Sequence, residues 1–353
     1  MKKVYKVMTA ACIAGICAFA LGCGGQQKAT ENKQVTQKII DRPSVVEFAP
    51  LGEIKEGRKN VYAVLKIMKG NYWGVVIDGI KDGAKVADVN VYLGGVLRDG
   101  GWEHQNELLK TALDKKADAI ILATTDGSKL VDMSREIMKK NIPLVTVDSP
   151  LNSKEFTASF NTNNLKAGEE CAKAMLDELK ASGVKDSDNI SVAISAANLM
   201  NATQLDRAEA VIATWAKLAP KQWKLIEQPF ISGGDMQKAE ENAVKALQIK
   251  DLKGIICVNN SSTDKSALFV MKANRKDVVV SGFDYGSNTK EMIKNSAYHC
   301  STIVQNQYKM GFEGVKAAAS NIGKDVKQSL TVDTGITIVN AKSQAEYEAS
   351  LKK

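Results

Sequence analysis

Seven short segments of this 353-residue chain concentrate side chains able to hold a small polar molecule: residues 69–73, 94–102, 124–126, 148–149, 196–203, 259–262 and 284–285. The carboxylates of Asp148 and Asp284 accept hydrogen bonds, the amides of Asn201, Asn259 and Asn260 donate and accept, and the Ser149 hydroxyl does either. Tyr72, Trp73 and Trp102 offer ring faces to C–H groups. Acceptors for hydroxyl protons beside aromatic faces suit a neutral polyhydroxylated ligand. Paired carboxylates are also the equipment of a glycosidase, so Asp148 and Asp284 leave bond hydrolysis as a remote alternative. Other chemistries lack their parts. The only histidines, His104 and His299, lie in no HExxH motif and beside no G-x-S-x-G serine; no G-x-G-x-x-G follows the first apolar run, and there is no GxxxxGK[ST]. No cofactor, metal or catalytic residue is expected.

The elements that must position these groups repeat along the chain. Apolar runs of strand length at 61–67, 89–93, 119–123 and 144–147 alternate with segments of helical period, in which Trp73, Val76, Ile80 and Ala84, then Leu108, Leu109 and Leu113, share a face. A second set of strands follows at 190–194, 224–227, 254–258 and 278–281, with helices starting from Gln204, Asp235, Thr263 and Thr289. Strands apolar on both faces and alternating with helices predict parallel sheets covered by helices. Two such α/β halves are expected. Each polar segment follows a strand, and open α/β sheets bind ligands beyond the carboxyl ends of their strands, so the two sets face a common cleft.

The amino terminus carries a different signal. Lys2, Lys3 and Lys6 precede an apolar run from Val7 to Leu21 that ends in Ala20-Leu21-Gly22-Cys23. A basic start, a run shorter than the ~20 residues of a membrane span and small residues before a cysteine predict a signal peptide over 1–22 with lipid on Cys23. Residues 23–59, polar and irregular, are read as a stalk. The formal net charge is +8, of which three charges are lysines of the signal, leaving +5 on the mature chain. No basic block with interleaved aromatics occurs, so no nucleic-acid partner is expected. Beyond Cys12, Cys17 and Cys23 only Cys171, Cys257 and Cys300 remain; they have no CxxC spacing, and three thiols cannot all pair within one chain.

An ordered set of motifs resembles the periplasmic sugar-binding protein family of ABC transporters, in its ribose-binding branch: Asn71-Tyr72-Trp73; Gln105 with Asp118-Ala119-Ile120-Ile121; Ile142-Pro143-Leu144-Val145-Thr146-Val147-Asp148; Asn259-Asn260; Gly282-Phe283-Asp284; and Ile303-Val304-Gln305. The resemblance implies two Rossmann-like lobes joined by a three-crossing hinge: 60–162 with 306–334, and 163–305 with 335–353. It implies Tyr72 and Trp73 as ligand-stacking rings and Asp148, Asn260, Asp284 and Gln305 as polar partners, with Gln105 and Asp118 serving packing. A monomer capturing a sugar and handing it to a permease follows from the likeness; a sensor domain as recipient, or a non-sugar solute, is the alternative. The departures also carry information. Ser149 stands where pentose binders have arginine, Leu205 stands at a second family arginine with Arg207 read as structural, Ser261 replaces an aspartate, and Asn71 replaces proline. Two lost guanidinium forks argue against ribose, and Asn71, Asp99, Trp102, Ser149 and Asn201 are the candidates for replacement contacts.

Overall fold

The computed structural model describes residues 45–97, 100–325 and 329–351. The first sheet contains β1 (Val45–Pro50), β2 (Asn60–Leu65), β3 (Asn90–Val96), β4 (Ala119–Leu122), β5 (Leu144–Val147), β6 (Ala158–Asn161) and a late strand, β13 (Leu330–Asp333), in the order β1-β3-β2-β4-β5-β6-β13. Its pairs are parallel except β1 with β3. The second sheet contains β7 (Ile190–Ala196), β8 (Trp223–Leu225), β9 (Phe230–Ile231), β10 (Leu252–Cys257), β11 (Val279–Phe283), β12 (Cys300–Gln305) and β14 (Ile336–Asn340), in the order β14-β12-β11-β10-β7-β8, with β9 also on β7. There the antiparallel pair is β12 with β14.

Alternation along β2 shows why these strands are apolar throughout. Val61, Ala63 and Leu65 enter a core beneath helices α1 (Asn71–Ala87) and α9 (Gln307–Ser320). Tyr62 and Val64 enter the core on the other face, with Leu108 and Leu109 of α2 (Trp102–Asp114) and Met133 and Ile137 of α3 (Val131–Lys139). A strand buried on both faces has no position left for a polar side chain. Each large aliphatic side chain so buried contributes roughly 1.5–3 kcal/mol. The second sheet is covered in the same way by α4 (Asn164–Ala181), α5 (Ala202–Leu218), α6 (Met236–Leu247), α7 (Asn260–Lys272) and α8 (Ser287–Lys294).

The chain passes between the sheets three times: from β6 into α4, from β12 into α9, and from β13 into β14. After the second passage α9 returns to the first lobe and lies against α1. A Cβ on Gly79 would strike the Tyr308 carbonyl oxygen, and one on Gly311 would strike that of Val76, so the two backbones touch without side chains between them.

Each run read as a strand in the sequence overlaps an observed strand, and the helices begin within three residues of the expected starts. One boundary needs correction. Residues 45–59 were read as the end of a stalk, but β1 pairs with β3, Phe48 sets its ring edge on Tyr62 at 4.9 Å, and the Lys55 N–H donates to the Asn90 side chain at 2.9 Å. The apolar content of this strand is too short to stand out between Pro43 and Pro50. Residues 1–44, which hold the expected signal and Cys23, lie outside the described residues.

Candidate ligand-binding cleft

Parallel strands bring their carboxyl ends to one edge of each sheet. There β5 and β11 are each followed by an aspartate in the left-handed region, Asp148 with φ 60 and Asp284 with φ 66. Aspartate tolerates this region better than most residues, but it still costs roughly 1 kcal/mol, and surrounding bonds must hold it. The two lobes do this in the same way: the Asp148 N–H donates to the Phe160 carbonyl of the neighbouring strand at 3.0 Å, and the Asp284 N–H to that of Ile303 at 2.9 Å.

In the first lobe, the hydroxyl of Tyr72 at the start of α1 donates to Asp148 Oδ1. Ser149 Oγ donates to Asp148 Oδ2 at 2.6 Å, and Lys66, directly after β2, donates from Nζ to Ser149 Oγ at 3.0 Å while lying 4.0 Å from Asp148 Oδ2. In the second lobe, Gln305 at the end of β12 donates to Asp284 Oδ1 at 3.0 Å. Its own carbonyl oxygen accepts from Arg207 Nη2 at 2.7 Å and from Thr162 Oγ1 at 3.0 Å. The Arg207 guanidinium sits 4.0 Å over the Phe283 ring and also donates to Asn164 Oδ1 and the Val258 carbonyl, at 2.8 and 3.1 Å. Gln307, first residue of the returning helix α9, reaches Asp284 from the other lobe at 3.5 Å.

Burial dominates the electrostatics. It lifts the Asp284 carboxyl to about 6, with the negative charge of Asp148 adding to the rise while Arg207 and the Gln305 hydrogen bond oppose it. Burial also holds the Tyr72 hydroxyl well above the ordinary tyrosine value, reinforced by the charges of Asp148 and Asp284. One phenol therefore senses a carboxylate from each lobe. The arrangement presents two acceptors, two cations and two amides across a cleft, each fixed by protein bonds.

Above this cluster the cleft opens into a cavity of about 350 Å³ walled by both lobes, with Trp102, Thr125, Ser149 and Asn152 on one side and Met200 and Asn201 on the other. Asn201 caps α5 by accepting from the Thr203 N–H at 3.0 Å.

Of the residues singled out in the sequence, Tyr72, Asp148, Ser149, Asp284 and Gln305 meet in the deep cluster, and Trp102 and Asn201 line the mouth with Ser149. Asn260 opens α7 half-buried, next to Asn259, whose Oδ1 accepts from the Ala197 N–H at 3.0 Å. Asn71 is exposed at the first position of α1. Trp73, expected as a stacking ring, is 5% exposed in the first lobe's core beside Val76 and Ile80, because it falls on the inward face of α1. Asp99 lies outside the described residues. Gln105 is fully buried and pins the turn after β4, donating to the Ala123 carbonyl at 2.7 Å and accepting from the Thr125 N–H at 2.8 Å. Lys66 was not singled out, although a lysine inside the otherwise apolar run 61–67 is a visible signal. Cys171, Cys257 and Cys300 are free buried thiols, the first two pushed up to about 12 by burial.

A sequence model of the periplasmic binding protein domain matches residues 61–325. The D-allose-binding periplasmic protein of Escherichia coli K12 is 27% identical over 263 residues, 72% of this chain and 81% of that relative. Among solved structures, a carbohydrate transporter solute-binding protein from Agrobacterium radiobacter in complex with D-arabinose superposes with a TM-score of 0.76 at 22% identity, over 84% of this chain and 99% of that one. An ABC transporter solute-binding protein from Agrobacterium vitis with bound D-fucose does so with a TM-score of 0.72 at 23% identity, over 82% and 98%. The fold is thus shared with solute-binding proteins of sugar transporters. The chain belongs to the periplasmic binding protein family and is a solute-binding protein, not an enzyme.

Proposed function

We propose that this chain captures a neutral sugar or sugar-like polyol between its lobes, closes about the three-crossing hinge, and delivers the ligand to the membrane permease of an ABC transporter while a lipid on Cys23 tethers it, as a monomer, at the cell envelope. The observation that carries this reading is the pairing of two half-sites, Tyr72–Asp148–Ser149–Lys66 and Asp284–Gln305–Arg207, at the facing carboxyl ends of the two sheets. Carboxylate acceptors with amide and ammonium donors match vicinal hydroxyls, which donate and accept at once. The sugars named for the relatives support the same class. Lys66 restores a positive donor beside Ser149, where pentose binders carry arginine, but as a point charge without a planar fork.

The test is a thermal-shift and calorimetric screen of pentoses, hexoses, deoxysugars and polyols, including D-allose, D-arabinose and D-fucose. One class is expected to bind saturably at one ligand per chain and to be recovered unchanged; at 100 times its dissociation constant it adds about 2.7 kcal/mol of stability. No shift with any sugar or polyol refutes the proposal.

A further inference from the structure

We infer that the mouth of the cleft is a second sugar-ring subsite, so that the ligand is a disaccharide whose inner ring meets the Asp148–Asp284 cluster and whose outer ring lies between Trp102 and Met200. This rests on sugar capture in the cleft as proposed above. The mouth cavity adjoins the deep cluster at Ser149, which bonds Asp148 on one side and borders the cavity on the other. The cavity, about 350 Å³, falls within the roughly 300–1,000 Å³ of small-molecule sites.

Its apolar walls come from opposite lobes. Trp102 opens α2 half-buried, with Lys129 Nζ 5.8 Å from its ring centroid. Across from it Met200 is 93% exposed at the rim of the second lobe. A flexible thioether held in water gains by covering an apolar surface, and an indole and a thioether on two sides of a gap grip the C–H faces of one pyranose ring.

The polar part of the mouth is already formed by bonds between its own loops. Thr124 Oγ1 donates to the Pro150 carbonyl at 3.0 Å, and Asn152 Nδ2 donates to Ser128 Oγ at 2.7 Å, tying the two first-lobe loops together. Among the described residues the one carboxylate of this wall, Asp126, accepts from the Ser128 and Lys129 N–H groups at 2.9 and 3.1 Å and so serves its own turn. A hydroxyl- and amide-rich surface whose loops are already bonded together suits a second neutral ring and needs little ordering of those loops to receive it.

The test is calorimetry on the full chain with matched probes: D-glucose against maltose and cellobiose, D-galactose against lactose, D-xylose against xylobiose, and the monosaccharides D-allose, D-arabinose and D-fucose. The expected result is a disaccharide bound at least tenfold more tightly than its component monosaccharide. Met200→Ser and Trp102→Ala should each weaken the disaccharide several-fold to tenfold and leave the monosaccharide within twofold, whereas Asp284→Asn should weaken both. Met200 is so exposed that its variant tests the subsite even where Trp102→Ala fails to fold. A monosaccharide that binds as tightly as, or more tightly than, every disaccharide overturns the second subsite and leaves the sugar function standing, and so does a mouth variant that weakens both ligands equally or neither. Binding of no probe overturns the sugar function and the subsite together.

Discussion

Ligand affinity should fall as pH drops through 6, because ionised Asp284 offers two charged acceptor oxygens, whereas protonation removes the charge and turns one oxygen into a donor. Burial raises its carboxyl to about 6; Asp148 pushes in the same direction, Arg207 and Gln305 oppose it, and Tyr72, Gln307 and Tyr347 complete the polar surroundings. With that value nearly all Asp284 is ionised at pH 7.5 and about a tenth at pH 5, so a ligand whose hydroxyls donate to it loses about tenfold in affinity, or ~1.4 kcal/mol. The sign for ligand-free stability is opposite. The folded chain binds the Asp284 proton more tightly than the unfolded chain, whose aspartate titrates near 3.9. Asp284 therefore destabilises nothing below about pH 4 and progressively lowers stability as pH rises to about 6, by up to ~3 kcal/mol. Calorimetry and denaturant unfolding at pH 5, 6, 7 and 8 on wild type and Asp284→Asn isolate both effects. The variant should bind about 1.5–3 kcal/mol more weakly at pH 7.5, and subtracting it from wild type should expose both pH dependences. Wild-type affinity unchanged between pH 8 and pH 5, or an identical pH profile in Asp284→Asn, refutes Asp284 as the acceptor.

Three further outcomes are expected. Cys23→Ser should shift the protein from membrane to soluble fractions, and mass spectrometry of the wild-type amino terminus should find an acylated Cys23; an unmodified one rules out the tether. Trp73→Ala should lower stability by about 3–5 kcal/mol in denaturant unfolding, since it empties a core position of the first lobe; unchanged stability with lost binding would return this ring to the cleft wall. Gly79→Ala should cost about 1–3 kcal/mol, because the new Cβ meets the Tyr308 carbonyl and must force α1 from α9; a neutral change would mean that the two helices are not in backbone contact.

The alternation of apolar runs made the sheets legible because parallel strands buried on both faces exclude polar residues along their whole length, as β2 shows from Val61 to Leu65. Three of the edge strands were not legible for the same physical reason. β1, β13 and β14 bury only part of one face, so Leu330 and Ile338 remain exposed and no continuous run announces them. Asp148 and Asp284 were candidates because each directly follows a strand, whereas Gln305 was reached only through the family resemblance. Trp73 was misplaced because adjacent positions on a helix differ by about 100° in direction: at the start of α1, Tyr72 turns to the cleft and Trp73 to the core, and their types do not reveal which. Lys66 and Arg207 act through partners distant in sequence, Ser149 and Gln305, and such pairings exist only after the sheets have formed.

Closure becomes ligand-dependent through the way these pairings divide between the lobes. Tyr72 begins α1, which lies backbone to backbone against α9, so Tyr72, Asp148, Lys66 and the start of α9 form one bonded block. Arg207, Gln305 and Asp284 form the other block, bonded internally and reached from the first by Thr162 and Gln307 at two of the three crossings. The Asp148 charge adds a small rise to the Asp284 carboxyl on top of the larger effect of burial, so the two carboxylates face each other across the cleft. A ligand bound to only one block leaves the balance between open and closed lobes where it was, however tightly it binds. Hydroxyls that donate to Asp148 and Asp284 together turn the opposed charges into a shared grip. On the proposed reading, this pair of left-handed aspartates should then favour the closed state only when a ligand bonds both.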